Sequence, residues 1–140
     1  MTKTVTCDIV SAEEALYSGE ITWMTVTGEQ GELGIYPGHA PLLTAIAAGP
    51  VHLKTADGED HVFYLSGGYL EVLPTEIKIL ADIALRAKDL DEAAAEEVRQ
   101  EAARQLLTQK GEFDYGKAAI QLAEATAQLK TVQELKKAKQ

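Results

Sequence analysis

An α+β fold, an N-terminal antiparallel β-sandwich followed by a C-terminal two-helix antiparallel hairpin, is predicted by three observations. The first part of the chain alternates polar and apolar residues. The last part is rich in helix formers. The change between them falls at one place, near Lys88. All four prolines (Pro37, Pro41, Pro50, Pro74) precede it, as does every glycine except Gly111 and Gly116. Beyond it the chain is mostly Ala, Glu, Gln, Leu and Lys, which favour helix. The boundary at residues 85–89 gives two units, 1–88 and 89–140.

In the first unit, Thr4–Val10, Ile21–Val26, Val51–Lys54, His61–Leu65, Tyr69–Leu73 and Glu76–Leu80 read as strands. Their period-2 patterning with β-branched and aromatic residues marks half-buried strands. Ala56-Asp57-Gly58-Glu59 is a hairpin signal between two of these runs. Short, closely spaced strands with turn residues between them predict a sandwich or a flattened barrel.

Two helices are predicted in the second unit. Asp89 stands as N-cap of the first, with Glu92 three residues on as a capping-box variant. Asp91, Glu92, Glu96 and Glu97 put negative charge where the helix dipole favours it. Gly111 is the natural stop, and the short Gly111–Phe113 link makes the pair antiparallel. The second helix starts near Asp114 and runs to the terminus. The expected seam takes Leu90, Ala94, Val98, Ala102 and Leu106 from one helix. Ala118, Leu122, Ala125, Leu129, Val132 and Leu135 come from the other. Alanines permit close approach but bury little area, at roughly 25 cal/mol per Å². Such a hairpin needs docking against the sandwich or a partner. Weak docking suits a movable element; a merely decorative hairpin is the alternative.

Composition narrows the function. The chain has 140 residues, 46% of them hydrophobic, and a net charge of −9. That acidity argues against nucleic acid, whose binding needs a basic surface. Cys7 is the single cysteine, so no internal disulfide framework exists and a reducing compartment fits. The residues after Met1 lack the apolar core of a signal peptide. No run of apolar residues is long enough to span a membrane.

The most constrained stretch is Gly31–Leu43, GELGIYPGHAPLL. Its glycines supply unusual backbone angles, and Pro37 and Pro41 fix φ and remove two donors. It reads as a shaped corner that either fixes the fold or presents a surface. His39 is a turn residue bonded to nearby backbone on one reading and a contact residue on the other. His39, His52 and His61 lack metal-ligand spacing and Cys7 has no partner, so no metal site is expected. Ser66-Gly67-Gly68 lacks the Gly-Lys-Ser/Thr ending of a phosphate loop and reads as a bend or bulge. No catalytic set has supporting context.

The stretches VTGEQGELGIYPGHAPLLTAI (Val26–Ile46), YLSGGYLEVLP (Tyr64–Pro74) and ILADIALRAKDLDEAAAEE (Ile79–Glu97) resemble the epsilon-subunit family of bacterial F-type ATP synthases. The resemblance covers essentially the whole chain, in order. It implies a sandwich plus hairpin, no catalysis and no cofactor. It implies a place on the rotating central stalk, with the gamma subunit and the membrane c-ring as partners. The hairpin would restrain ATP hydrolysis. The implied location is peripheral, on the cytoplasmic face of the bacterial inner membrane, with protons as the coupled ion.

The resemblance also implies sites. The corner residues Glu32, Tyr36 and His39 would meet the c-ring loops. In an extended state the hairpin would climb along gamma, and Lys130, Lys136, Lys137 and Lys139 would meet acidic loops of the catalytic alpha and beta subunits. Dipole complementation and solubility are the plain alternative for those lysines. The family's nucleotide motif, Ile/Leu-Asp-x-x-Arg-Ala, is matched by Leu90, Asp91 and Ala95, but Ala94 stands where the arginine belongs. Without the guanidinium that pairs with phosphate, ATP binding is expected to be weak or absent. Two other classes stay open on the sequence. One is a stand-alone ligand-binding sandwich. The other is a hydrolase using His39 and Glu32, for which no nucleophile is evident.

Overall fold

A computed structural model describes residues 3–108 and 115–139. Among these residues the strands are β1 (Val5–Ser11), β2 (Ala15–Gly28), β3 (Gly31–Ile35), β4 (Leu42–Thr55), β5 (Asp60–Leu65), β6 (Gly68–Leu73), β7 (Glu76–Ala81) and β8 (Ala84–Arg86). A single 3-10 turn, Ala87–Asp89, leads to helices α1 (Glu92–Thr108) and α2 (Tyr115–Ala138).

β2 and β4 are each 14 residues long, and each serves both layers of a sandwich. Their partners change along their length. The first half of β2 pairs with β1, and the first half of β4 with β6. With β7 these form one layer, β2-β1-β7-β6-β4. The second half of β2 lies between β3 and β4, and β4 continues to β5 and β8. That is the second layer. Register shifts at Ile21/Trp23 and Val26/Gly28 mark the bends. Gly49 permits the close crossing there, since a Cβ would stand 2.5 Å from Thr27 Oγ1. All described pairs are antiparallel except β1–β7, which is parallel.

The core lies between the layers. Cys7, Ile9, Ile21, Met24, Ile35, Leu53, Leu65, Leu70 and Ile77 are fully enclosed. Burial, and then the charge of Asp8, push the Cys7 thiol up to about 12, so it stays protonated and inert. On β5, Phe63 and Leu65 face this core. Val62 and Tyr64, on the other face of the strand, are buried as well. Their cover is α2, which packs on β4 and β5, while α1 packs on α2.

The strand and hairpin expectations meet the structure with several corrections. The first five residues of the supposed corner are β3, and Leu42–Leu43 open β4; the true corner is Tyr36–Pro41. Gly31 there has φ +131°, which turns the chain from β2 into β3. β2 and β4 start earlier than their alternation indicates, because strands that change layers bury residues first on one side and then on the other. Asp89 sits in the 3-10 turn rather than capping α1. Asp91 is the cap: its Oδ1 accepts from the Ala94 N–H at 3.0 Å. On α1 the seam keeps Ala102 as expected, but Ala95 is buried in place of Ala94, and Ala94 and Val98 are exposed. Alanine carries little phase information, so a run such as Ala93-Ala94-Ala95 leaves the buried face undetermined. The predicted stop at Gly111, the Gly111–Phe113 link and the Asp114 start lie outside the described residues.

Candidate functional site

The two layers present opposite kinds of outer face. Pairing registers define the first one rung at a time. Ala15, Val10, Leu80, Tyr69 and Ala45 are consecutive partners across β2, β1, β7, β6 and β4. One rung is Ser18, Asp8, Lys78, Glu71 and Leu43. Leu43, Tyr69 and Leu80 are 71%, 61% and 57% exposed and border one shallow groove with Val10, Ala15 and Tyr17. Three large apolar side chains left bare on adjacent strands form a patch rather than scattered surface residues. Asp8, Lys78 and Glu71 give it a charged edge.

The second layer is covered by the chain's own hairpin. Tyr64 is enclosed there. Burial, and then the charge of Glu124, push its phenol upward against a hydrogen bond with Gln128. His52 of β4 lies at the same seam. Its Nε2 is 2.9 Å from Asp60 Oδ1, its Nδ1 is 3.9 Å from Glu134 Oε2 of α2, and its ring meets the edge of Trp23 at 4.8 Å. Within the hairpin, Lys136 Nζ reaches Glu92 Oε2 at 2.9 Å. The buried Thr131 hydroxyl donates to the Ala127 carbonyl at 2.7 Å. A seam rich in alanine and the Lys136–Glu92 ion pair between the helices help to hold the hairpin.

The corner is fixed from two sides. Gly38 N–H donates to Pro74 O at 3.1 Å, tying it to the β6–β7 turn, and Gly38 has φ +85°. His39 N–H donates to Tyr36 O, and its Nδ1 donates to the Ala40 carbonyl at 2.7 Å. His39 is thus bound to local backbone, while Tyr36 projects 63% exposed and Glu32 is exposed. Tyr36 and His39 share the corner. Glu32 lies on β3 and lines a small cavity with His52, Lys130 and Glu134.

The lysines are dispersed. Lys137 lies 3.9 Å from Glu134, and Lys139 borders a separate cleft with Tyr17, His61, Phe63 and Arg86. The nucleotide-motif residues do not converge on an anion site. Asp91 is used as a helix cap, Ala95 is buried in the hairpin and Leu90 is half-buried. Arg99 is clamped to Glu96, and Arg86 donates to Leu16 O at 2.9 Å. Among the described residues no group of three or more His, Cys, Asp or Glu is placed to hold a metal ion. None of their helices is long and apolar enough to cross a membrane.

The sandwich covers one face with its own hairpin and leaves on the other an apolar patch of the kind that marks interaction surfaces. Residues 4–87 match the β-sandwich domain of ATP synthase delta/epsilon chains, and residues 88–133 match the long α-helix domain of the same chains. The chain is 52% identical over 130 residues to an ATP synthase epsilon chain of Chromohalobacter salexigens, covering 93% of this chain and 92% of that one. It belongs to the ATP synthase delta/epsilon family as an epsilon subunit, which is not a catalytic chain. Two solved structures share the fold at low identity. A chain of the Euglena gracilis mitochondrial ATP synthase matches with a TM-score of 0.75 at 16% identity, over 98% of this chain and 82% of that one. A chain of the Tetrahymena thermophila mitochondrial ATP synthase central stalk and c-ring gives 0.58 at 14%, over 96% and 97%.

Proposed function

We propose that this subunit couples rotation between the c-ring and the catalytic head of a bacterial, proton-translocating ATP synthase. In this reading residues 1–88 bind the central stalk and residues 89–140 regulate it. The observation that carries the reading is the bare patch of Leu43, Tyr69 and Leu80, bordered by Val10, on the layer opposite the hairpin. It is the gamma-binding face. The corner with Tyr36, His39 and the nearby Glu32 faces the c-ring. The hairpin restrains ATP hydrolysis when its helices separate and extend toward the alpha and beta subunits, where Lys130, Lys136, Lys137 and Lys139 meet acidic loops. The complex works at the cytoplasmic face of the inner membrane.

Tyr69→Asp tests the patch. Binding to purified gamma, measured by titration calorimetry, should weaken about tenfold or more, as for a buried aromatic anchor at an interface. The free chain should melt normally, because exposed substitutions shift stability by under about 0.5 kcal/mol. Unchanged affinity would move the gamma interface elsewhere.

ATP should bind the isolated chain weakly or not at all. Ligand stabilisation follows RT ln(1 + [L]/Kd), so a millimolar excess of ATP should leave the melting temperature unmoved. Clear stabilisation would mean that Arg86 or Arg99 leaves its present partner for phosphate.

A further inference from the structure

The bare face of the first layer is edged by charge, and the sign of that edge restricts what can lie on it. Beside the apolar rung of Val10, Leu80 and Tyr69 runs the rung of Ser18, Asp8, Lys78, Glu71 and Leu43. Asp8, Glu71 and Lys78 border the same groove as Leu43, Tyr69 and Leu80. The next rung places Glu20 and Glu76 on either side of Thr6. Along this edge the carboxylates of Asp8, Glu20, Glu71 and Glu76 face a single ammonium, that of Lys78. Three of the four are engaged within the sheet. Asp8 Oδ1 accepts from the Ser18 hydroxyl at 2.6 Å, Glu20 Oε1 accepts from the Thr6 hydroxyl at 2.6 Å, and Glu76 lies 4.0 Å from Lys78 Nζ. Glu71 differs. It is exposed, stands between Leu43 and Lys78 in its rung, and has no hydrogen-bond or ion-pair partner among the described residues.

A wholly apolar partner pressed on Leu43, Tyr69 and Leu80 would strip water from the Glu71 carboxylate. Burying an ionised carboxylate without a counter-charge is strongly unfavourable. A partner that brings a cation to the same point removes that penalty and gains a charge-assisted hydrogen bond. Arginine suits the place. Its planar fork can engage both carboxylate oxygens, and its face can lie against the ring of Tyr69, two residues along β6 on the same side of the sheet. A second copy of this chain fits poorly, because patch against patch sets two edges of the same sign together.

We propose that this face takes a protein surface whose apolar ridge is flanked by basic side chains, with an arginine or lysine opposite Glu71, and that Glu71 sets the choice of partner. The inference rests on the gamma-binding reading of the face and names what that surface of gamma must carry. Leu43, Tyr69 and Leu80 supply the contact area, and Glu71 rejects apolar surfaces that lack the cation. Lys78 repels an incoming cation and so contributes nothing to the attraction. The net charge of −9 acts in the same sense at longer range, steering a basic partner toward the chain.

Titration calorimetry of the full-length chain with purified gamma, at about 50 mM and about 500 mM salt, tests the proposal, since added salt screens the charged edge and spares the apolar contact. Affinity should fall about tenfold between the two conditions. Glu71→Gln should weaken binding about tenfold at low salt and reduce the salt dependence, as for one member of a desolvated charge pair. Lys78→Gln should not weaken it. Both side chains are exposed, so the free variants should melt as the parent chain does. If Tyr69→Ala weakens binding while Glu71→Gln and salt leave it unchanged, the gamma face stands and the basic partner is wrong. If none of these changes alters affinity, both readings fall. A loss for Lys78→Gln as large as that for Glu71→Gln means a partner of mixed charge and overturns the assigned sign. A chain that self-associates in light scattering, and becomes monomeric on Tyr69→Ala, gives the face to a second copy and also overturns the proposal.

Discussion

Gly68→Ala should cost the isolated chain about 3 kcal/mol or more and lower its melting temperature by roughly 10 °C or more. Gly68 opens β6 with φ +141°, a conformation that side chains rarely adopt. A Cβ there would stand 2.1 Å from the Leu80 carbonyl oxygen and 2.8 Å from Ala81 Cα. Both obstacles are backbone, so β6 and β7 must separate to admit the methyl group. The neighbouring bonds resist that. Asp82 N–H donates to Gly67 O, Ser66 N–H to Ile83 O, and Ile83 N–H to Ser66 Oγ, all at 3.0–3.1 Å. Gly67→Ala is the control. Its φ of +143° is equally unfavourable, yet a Cβ meets nothing closer than 3.4 Å. It should cost only the backbone strain, about 1–3 kcal/mol. Urea denaturation of both variants decides between them. Equal losses would show that φ alone governs the site, and a loss under about 1 kcal/mol for Gly68→Ala would show that the β6–β7 pair yields easily. Because Tyr69 follows Gly68 and pairs with Leu80, the same variant should also loosen the bare patch.

What could be read from the sequence followed the strength of each local signal. The runs His61–Leu65, Tyr69–Leu73 and Glu76–Leu80 alternate cleanly, and the strands fall on them within a residue. Gly58, in the predicted hairpin, does take φ +88°. Ala15–Gly19 and Leu42–Ala48 were missed as strand because β2 and β4 pass from one layer to the other, and the side facing the core changes with them. β8 is only three residues long, too short for any periodicity. Alternation does place Tyr69 and Glu71 opposite Leu70 and Val72. It does not say that Tyr69 pairs with Leu80 and Leu80 with Val10, so the patch required registers set by non-local pairing. The His52 cluster was hidden for the same reason. Asp60 is eight residues from His52, but Glu134 is eighty-two residues away, and no helical phase could be read from an alanine-rich stretch. The corner was legible as a constraint, since its prolines and glycines act through local backbone, while its tie to Pro74 was not.

A chain ending at Lys88 should fold, bind gamma and assemble, and it should raise ATP hydrolysis by the assembled enzyme on the order of fivefold or more, the lower end of ordinary coupling between sites. The core supports the first half of this expectation. Its buried cluster runs from Val5 to Ala84 and takes nothing from α1 or α2. Removing the hairpin uncovers Val62 and Tyr64, now 5% and 2% exposed. Each costs about 1.5–3 kcal/mol if fully re-exposed, a serious but survivable loss for a domain of ordinary stability. The patch of Leu43, Tyr69 and Leu80 lies on the other layer and keeps its geometry. The second half follows from the weakness of the seam. Among the described residues α1 packs chiefly on α2, and the buried residues between the helices are largely alanines. A hairpin held this lightly suits two positions, one docked and one extended. Steady-state hydrolysis with full-length and shortened chains, in complexes checked for equal subunit content, separates the outcomes. Failure of the shortened chain to assemble would refute the division of labour at Lys88. Assembly with unchanged hydrolysis would leave the coupling role standing and remove inhibition from this hairpin.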